Sequence, residues 1–240
     1  IENELNIARS IQMAMLPKIF PPYPDRDDLE MFGSLVPAKA VGGDLYDFYI
    51  RDEKLFFCIG DVSGKGVPAY LVMAVTRSLF RMLSTRESSP ERIVSQMNDS
   101  MAQTNEASMF VTLFVGVLDL PTGRLRYCSA GHCPPVLVGD TVEMMHVKPF
   151  LPVGPMPDLK FEGEEIIIHS RDTIFLYTDG LTEAEDVSHG QFGVDRMMEV
   201  LKRLETNKPK AILEQMTDAV QAFVGDAKQS DDLTMLALKL

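Results

Sequence analysis

The sequence is short of positive charge, and this shortage excludes one class of partner. Its 240 residues include 23 lysines and arginines against 35 acidic residues, a formal net charge of −12. Such a balance repels the phosphate backbone of nucleic acids and anionic membrane surfaces. Nucleic acid is therefore not expected to be a partner.

Cysteine is also scarce. The three cysteines, Cys58, Cys128 and Cys133, are an odd number, and no two of them have the C-x-x-C spacing of a zinc site. A reducing, cytoplasmic compartment is the simplest interpretation of this usage.

Long apolar runs are missing as well. No stretch approaches 18 consecutive apolar residues, and the N-terminus has no basic segment followed by an apolar one. The chain opens on Ile1 within a helical pattern, so we expect a fragment of a longer protein whose sensor domain, or membrane tether, lies upstream. A composition of 45% apolar residues suits one globular domain with a large core.

The first residues form an amphipathic pattern. Apolar residues recur there at intervals of three or four: Ile1, Leu5, Ala8, Ile11 and Met15. This spacing predicts a helix, which Pro17 would end. We expect residues 1–17 to be a regulatory or linker helix and residues 18–240 to be the main domain. The apolar stripe could pack on that domain, or pair with the same helix of a second chain to give a homodimer.

The rest of the chain alternates between two patterns. Runs rich in β-branched and aromatic residues predict nine strands: MFGSLVP, LYDFYI, KLFFCIGD, MFVTLFVGVLDL, GRLRYCSAG, PPVLVG, EEIIIHS, TIFLYTDG and LTMLALKL. Helical spacing predicts four more helices, near 67–82, 90–105, 194–204 and 209–224. The first of these helices is expected to bury an apolar stripe: Val67, Leu71, Val72, Val75, Leu79 and Met82. Strands follow strands, which favours an α+β fold of antiparallel sheets with helices outside over a doubly wound parallel sheet.

The stretch IGDVSGKGVPA, residues 59–69, fits neither of two familiar glycine-rich motifs. A nucleotide-binding P-loop needs G-x-x-x-x-G-K followed by Ser or Thr, which Gly60 and Gly66 do not allow. A nucleophile elbow needs G-x-S-x-G, and Asp61 stands two residues before Ser63. A nucleotide-dependent kinase or NTPase is therefore disfavoured, and Asp61 needs another role.

Asp61 belongs to a set of acids at strand edges, each beside a glycine or a second acid. The set comprises VGGDLYDF with Asp44, IGDVSG with Asp61, LYTDGLTEA with Asp179, and SDDLTM with Asp231 and Asp232. Any single one could be a solvated surface acid, but three of the four motifs directly abut a run that should be buried. An unpaired carboxylate at the rim of a core is unfavourable, and a bound cation is one remedy.

The ligand chemistry of these acids favours hard cations. Carboxylates with neighbouring backbone carbonyls suit Mg²⁺ or Mn²⁺, whereas Zn²⁺ prefers His and Cys. Two such cations can lower the pKa of a shared water and clamp phosphoryl oxygens, which requires no Ser or Cys nucleophile.

Five motifs, in order along almost the whole chain, carry a family resemblance: VGGDLYDF, GDVSGKGVPA, SAGHCPP, YTDGLTEA and SDDLTM. Together they resemble the PPM-type metal-dependent protein phosphatases, in particular the bacterial branch typified by SpoIIE and RsbU. The resemblance implies a four-layer αββα sandwich of two antiparallel sheets flanked by helices. It also implies hydrolysis of phosphoserine or phosphothreonine on a partner protein by a metal-activated water. The implied substrate is a small phosphorylated STAS-type anti-sigma-factor antagonist.

The same resemblance implies a set of metal ligands. Asp61 would bridge two Mn²⁺ or Mg²⁺ ions, and the Val62 backbone carbonyl would complete one coordination shell. Asp44 and Asp179 would each bind one of the ions, and Asp231 would hold the second. Sequence does not separate Asp231 from its neighbour Asp232, and a third ion is left open.

Other carried-over roles are less direct. Many members of the family hold the phosphate with an arginine before the first metal-binding acid, and here Lys39 stands nearby, a point charge with a less directional grip. His132 could act in catalysis or satisfy local backbone groups, and Lys65 could lie near the site or in solvent. Ser63 is expected to make a turn hydrogen bond. An interaction module that kept this fold without catalysis is the alternative function.

Overall fold

The computed structural model describes residues 2–240, so Ile1, the first residue of the predicted apolar stripe, lies outside the described residues. Within that range the helices are α1 (Glu2–Met15), α2 (Val67–Ser84), α3 (Pro90–Ala102), α4 (Asp179–Thr182), α5 (Gly193–Lys202) and α6 (Pro209–Val224). The strands are β1 (Glu30–Val36), β2 (Asp44–Arg51), β3 (Lys54–Val62), β4 (Val111–Asp119), β5 (Arg124–Ala130), β6 (Val136–Val138), β7 (Val142–Met144), β8 (Glu164–Ile167), β9 (Thr173–Tyr177) and β10 (Leu233–Lys239). None of the helices in residues 2–240 has the length and apolarity needed to cross a bilayer.

A proline marks the start of three helices. Pro68, Pro90 and Pro209 lie in the first turns of α2, α3 and α6. Proline suits this place because its fixed φ is helical and its missing N–H would have no helical partner there. These helix starts therefore follow directly from the sequence.

The chain divides into two compact units, and the first contains residues through Pro17, 40–132 and 146–168. Its sheet is antiparallel, with the strand order β2-β3-β4-β5-β8. Helices α2 and α3 pack on this sheet and on each other. The central strands β3 and β4 are buried over most of their length, as expected of strands rich in Val, Leu and Phe.

The second unit contains residues 18–39, 133–145 and 169–240. Its antiparallel sheet has the order β1-β10-β9-β6-β7, and α6 packs on β1 and β10. Its core combines strand residues such as Phe175 and Met235 with helix residues such as Met197, Ile212 and Met216. Each unit therefore has its own sheet, helices and apolar core.

Helix α1 belongs to the first unit and is anchored there by a polar side chain. Gln12 is fully buried: its Nε2 donates to the Gly42 carbonyl at 2.8 Å, and its Oε1 accepts from the Gly42 N–H at 3.2 Å. The hydroxyl of Tyr46 donates to the Pro17 carbonyl just beyond the helix. Ile7 and Ile11 stay 53% and 50% exposed, so part of the apolar surface of α1 has no covering in the described chain.

Three expectations about elements need correction. The stripe of α2 that was predicted to be buried is largely exposed, with Leu71 at 58% and Met82 at 59%, because Met73 and Phe80 fill the opposite face against the sheet. Helix α3 ends at Ala102 and not near residue 105. Strand β7 and the one-turn helix α4 were not predicted, because three or four residues are too few to show a helical or strand periodicity in the sequence.

Candidate metal centre

Two of the predicted ligands face each other in the first unit. Asp44 begins β2, Asp61 lies one residue before the end of β3, and the two are register partners. Directly opposite residues of an antiparallel pair project to the same face with Cβ atoms about 4.5–5.5 Å apart. Asp44 is buried and Asp61 is half-buried. Like charges placed this way repel, so the pair favours a bound cation.

Two glycines create the space around this pair. A Cβ on Gly43 would lie 3.0 Å from the Val62 carbonyl oxygen, and one on Gly60 would lie 2.9 Å from the Thr112 carbonyl oxygen. The Val62 N–H donates to the Gly43 carbonyl at 3.2 Å. Both positions require glycine because another backbone segment lies too close for a side chain. At Gly43 the absence of a side chain also leaves space around the Val62 carbonyl oxygen.

His132 is connected to the same strand ends through one threonine. Thr112 is the register partner of Asp61 on β4, and its hydroxyl lies 3.1 Å from the Nδ1 of His132 and 3.4 Å from the Asp61 carbonyl oxygen. His132 is buried, and its carbonyl accepts from the Ser129 hydroxyl at 3.3 Å. The imidazole therefore contacts a side-chain hydroxyl on β4, whereas the bond from Ser129 is made to the backbone of His132.

The prediction that Ser63 makes a turn hydrogen bond is wrong. Its hydroxyl accepts from the N–H of Phe110 at 2.9 Å, and its own N–H donates to the Phe110 carbonyl at 2.8 Å. The two residues are 47 positions apart, so no local motif could reveal this pairing. Lys65 is exposed, between Gly64 and Gly66, which both have positive φ.

Two more predicted ligands come together in the second unit. Asp179 begins α4 just after β9, and the next residue, Gly180, lies against the SDD segment: a Cβ there would be 1.9 Å from the Asp232 carbonyl oxygen and 3.5 Å from the Asp231 Cβ. Among the described residues, the Oδ1 of Asp179 is a buried oxygen without a hydrogen-bond partner. Leaving such an oxygen unsatisfied is unfavourable, and a cation would satisfy it.

The neighbouring acids Asp231 and Asp232 have different partners. Asp232 is buried, and its Oδ1 accepts from the N–H of Ala38 at 2.9 Å. The Oδ1 of Asp231 accepts from the N–H of Asp232 at 2.9 Å. Lys39, the residue after Ala38, is exposed. Asp232 therefore anchors the backbone that leads to the predicted phosphate-binding lysine.

The described contacts place Asp44 opposite Asp61, and they place Gly180, the residue after Asp179, against Asp231. Throughout residues 2–240, no group of three or more His, Cys, Asp and Glu side chains is arranged to hold a metal ion. Both pairs nevertheless fit a hard cation, because every side-chain donor is a carboxylate oxygen, glycines border the acids, and one buried oxygen lacks a partner.

One charged residue of the VGGDLYDF motif was missed by sequence analysis. Asp47 is fully buried on β2, and Arg81 of α2 binds it with two hydrogen bonds, Nε to Oδ2 at 2.6 Å and Nη2 to Oδ1 at 2.8 Å. The Nε of Arg77 lies 3.5 Å from the same carboxylate, and the hydrogen bond to Asp47 raises the pKa of the Arg81 guanidinium. The four-residue spacing of the two arginines was the available signal, since it places them on one helix face.

The sequence of this chain is similar to those of known proteins. Residues 51–240 match the family described as Stage II sporulation protein E (SpoIIE). Protein IcfG of Synechocystis sp. is 31% identical over 265 residues, which cover 98% of this chain and 41% of IcfG. Phosphoserine phosphatase RsbU of Bacillus subtilis is 26% identical over 242 residues, which cover 100% of this chain and 70% of RsbU. The chain thus spans less than half of IcfG.

Solved structures share the fold. The SiaA-PP2C domain of Pseudomonas aeruginosa superposes with a TM-score of 0.84 at 21% identity, covering 100% of this chain and 96% of that domain. RsbX in complex with magnesium gives a TM-score of 0.67 at 18% identity, covering 88% of this chain and 95% of RsbX. These likenesses confirm the predicted fold class, an α+β sandwich of two antiparallel sheets flanked by helices.

Proposed function

Because the chain belongs to the SpoIIE family of PPM-type phosphatase domains, the branch that includes RsbU, we propose that it is an active protein serine/threonine phosphatase. It removes phosphate from phosphoserine or phosphothreonine of a partner protein and depends on Mn²⁺ or Mg²⁺. The observation that carries this proposal is the facing pair of Asp44 and Asp61, two carboxylates held on one face of a buried sheet. Two facing carboxylates offer hard oxygen ligands, the kind that Mn²⁺ and Mg²⁺ prefer.

The proposed cofactor is a pair of divalent cations. Asp61, the Val62 carbonyl, Asp44, Asp179 and Asp231 would hold them. When bound, the cations lower the pKa of a water and offset the charge of the phosphoryl group. The magnesium complex of RsbX supports this choice of ion.

Two further residues have proposed roles around these ligands. Lys39 is exposed and binds phosphate oxygens as a point charge, on a segment fixed by the bond from Ala38 to Asp232. Asp231 and Asp232 each have one carboxylate oxygen that accepts from a backbone N–H, so these hydrogen bonds do not separate them, and Asp231 is proposed as the metal ligand because the family resemblance assigns it that role.

The proposed substrate is a phosphorylated STAS-domain antagonist of an anti-sigma factor, in the cytoplasm. Support comes from the relative RsbU, which is a phosphoserine phosphatase. The match to RsbU covers the whole of this chain. We also propose that an upstream sensor domain controls the activity, since IcfG and RsbU extend beyond the part that this chain matches. Residues 1–17 are then the linker helix, and residues 18–240 the phosphatase domain.

The proposal is tested by manganese-dependent hydrolysis of a chromogenic phosphate ester and of a phosphoserine peptide. The Asp61→Asn variant should lose turnover, because the proposed bridging ligand loses its charge, while its circular dichroism stays unchanged. Asp140→Asn, an exposed acid on the β6–β7 turn, is the matched control and should keep wild-type activity. A wild-type protein without manganese-dependent turnover on either substrate would instead support the interaction module.

A further inference from the structure

The backbone next to Asp61 is fixed by a contact outside the proposed ligands. The N–H of Ser63 donates to the Phe110 carbonyl at 2.8 Å, and the hydroxyl of Ser63 accepts from the Phe110 N–H at 2.9 Å. The Ser63 N–H and the Val62 carbonyl belong to one peptide group, which is planar and trans. Fixing the N–H toward Phe110 therefore points the Val62 carbonyl in the opposite direction.

The segment that carries Phe110 is held in turn by an asparagine. The Nδ2 of Asn105 donates to the carbonyls of Met109 at 2.6 Å and Gly154 at 2.8 Å. Its Oδ1 accepts from the N–H of Met109 at 2.8 Å. One side chain thus binds three backbone groups on two separate segments, which a non-polar residue could not do.

A second asparagine holds the other of these segments from helix α3. Asn98 is fully buried; its Nδ2 donates to the Met156 carbonyl at 3.0 Å, and its Oδ1 accepts from the N–H of Gly154 at 2.8 Å. Gly154 has φ +107°, and a Cβ there would lie 3.2 Å from the Met109 carbonyl oxygen. The junction therefore needs glycine, and its geometry is set by the two asparagines.

We infer that Ser63, Asn105 and Asn98 are positioning residues, which together aim the Val62 carbonyl at the metal site. The inference rests on the proposed function and adds residues that touch neither metal nor substrate. Hydrogen bonds lead from α3 through Asn98, Gly154 and Asn105 to Met109, whose neighbour Phe110 holds Ser63. Loss of one member should loosen the Val62 peptide and weaken metal binding without removing a ligand.

The test measures Mn²⁺ affinity of the whole chain by isothermal titration calorimetry. Ser63→Ala and Asn105→Ala should each weaken binding about three- to tenfold, the range expected for loss of a hydrogen bond. Ser63→Thr keeps the hydroxyl and should restore the affinity. Asn207→Ala is the matched control, because that side chain also donates to a loop carbonyl, of Arg171 in the second unit, and it should leave the affinity unchanged.

A second measurement needs no metal. Amide hydrogen exchange at Ser63 and Phe110 should be faster in metal-free Asn105→Ala than in the metal-free wild type. Wild-type affinity in both alanine variants, or unchanged exchange, would overturn the inference and leave the proposed function standing. A wild-type protein that binds no Mn²⁺ would refute the proposed function and the inference together. If Asn105→Ala does not fold, Ser63→Ala at its half-buried loop position decides the outcome.

Discussion

Asp47 shows how a buried charge is stabilised next to a candidate metal site without being a ligand itself. Its carboxylate accepts hydrogen bonds from Arg81 and, at 2.9 Å, from the N–H of Phe48, so the buried charge is satisfied within the protein. Arg81 lies on α2, which follows the Asp61 loop directly. The pair therefore links α2, which follows the Asp61 loop, to strand β2, which begins with Asp44.

Removing Arg81 should destabilise the protein through the charge that it leaves behind. We expect Arg81→Ala to lower the free energy of unfolding by about 2 kcal/mol, less than the 3–5 kcal/mol typical of a fully buried pair, because Arg81 is partly exposed and Arg77 stays nearby. Urea denaturation measures this change. Arg203→Ala, which removes an exposed ion pair with Glu199, should change stability by less than about 0.5 kcal/mol. Equal effects of the two substitutions would contradict this account of Asp47.

The three thiols should differ sharply in reactivity. Cys58 and Cys128 are fully buried, and burial raises the pKa of Cys128 to about 12 and that of Cys58 well above its usual range. Because the thiolate is the reactive form, both should resist a maleimide at pH 8, whereas the half-buried Cys133 should react. Mass spectrometry of the labelled native protein would locate the adduct, and all three thiols should react in denaturant. Rapid native labelling of Cys58 or Cys128 would show that the core is less closed than described.

At the scale of elements, α1 has an exposed apolar surface. Ile7 and Ile11 are exposed one turn apart and border a shallow groove with Asn6, Ser10 and Ala14. We propose that this groove pairs with the same helix of a second chain, because a one-sided apolar stripe on a helix anchored by Gln12 suits an isologous contact.

The Ile7→Glu/Ile11→Glu double variant tests this pairing. It should shift the protein toward the monomer in sedimentation experiments, because two charges would be desolvated in the contact. Arg9→Glu, at an exposed site on the opposite face of α1, is the control and should leave the sedimentation unchanged. An unchanged sedimentation coefficient in the double variant would leave α1 as a cap of its own unit.

The elements that have a clear local signal in the sequence were predicted correctly. Prolines mark the starts of α2, α3 and α6, and dense runs of apolar, β-branched and aromatic residues mark the long strands, so these elements were predicted correctly. The buried face of α2 was not, because apolar residues occur on both sides of that helix and only the sheet selects Met73 and Phe80. Where apolar residues lie on both sides of a helix, the local pattern does not select the face that meets a sheet.

At the scale of the whole molecule, the candidate site combines local and distant signals. The acids Asp44, Asp61, Asp179 and Asp231 could be selected from sequence because each stands beside a strand in a recurring motif. The contacts that hold them could not, since Ser63 meets Phe110 and Asp47 meets Arg81 across 47 and 34 positions of the chain. Such pairings depend on strand register and helix packing, which arise only when the fold is complete.

The central claim is that these four acids bind two divalent cations, and a crystal structure with Mn²⁺ soaked in tests it most directly. The account predicts two anomalous peaks, both about 2 Å from oxygens of Asp61, with Val62, Asp44, Asp179 and Asp231 completing the ligands. The molecule has a formal net charge of −12, so other acids could attract Mn²⁺ at the surface, but those peaks would not include Asp61. Anomalous density only at surface acids, with none at Asp61, would contradict the claim.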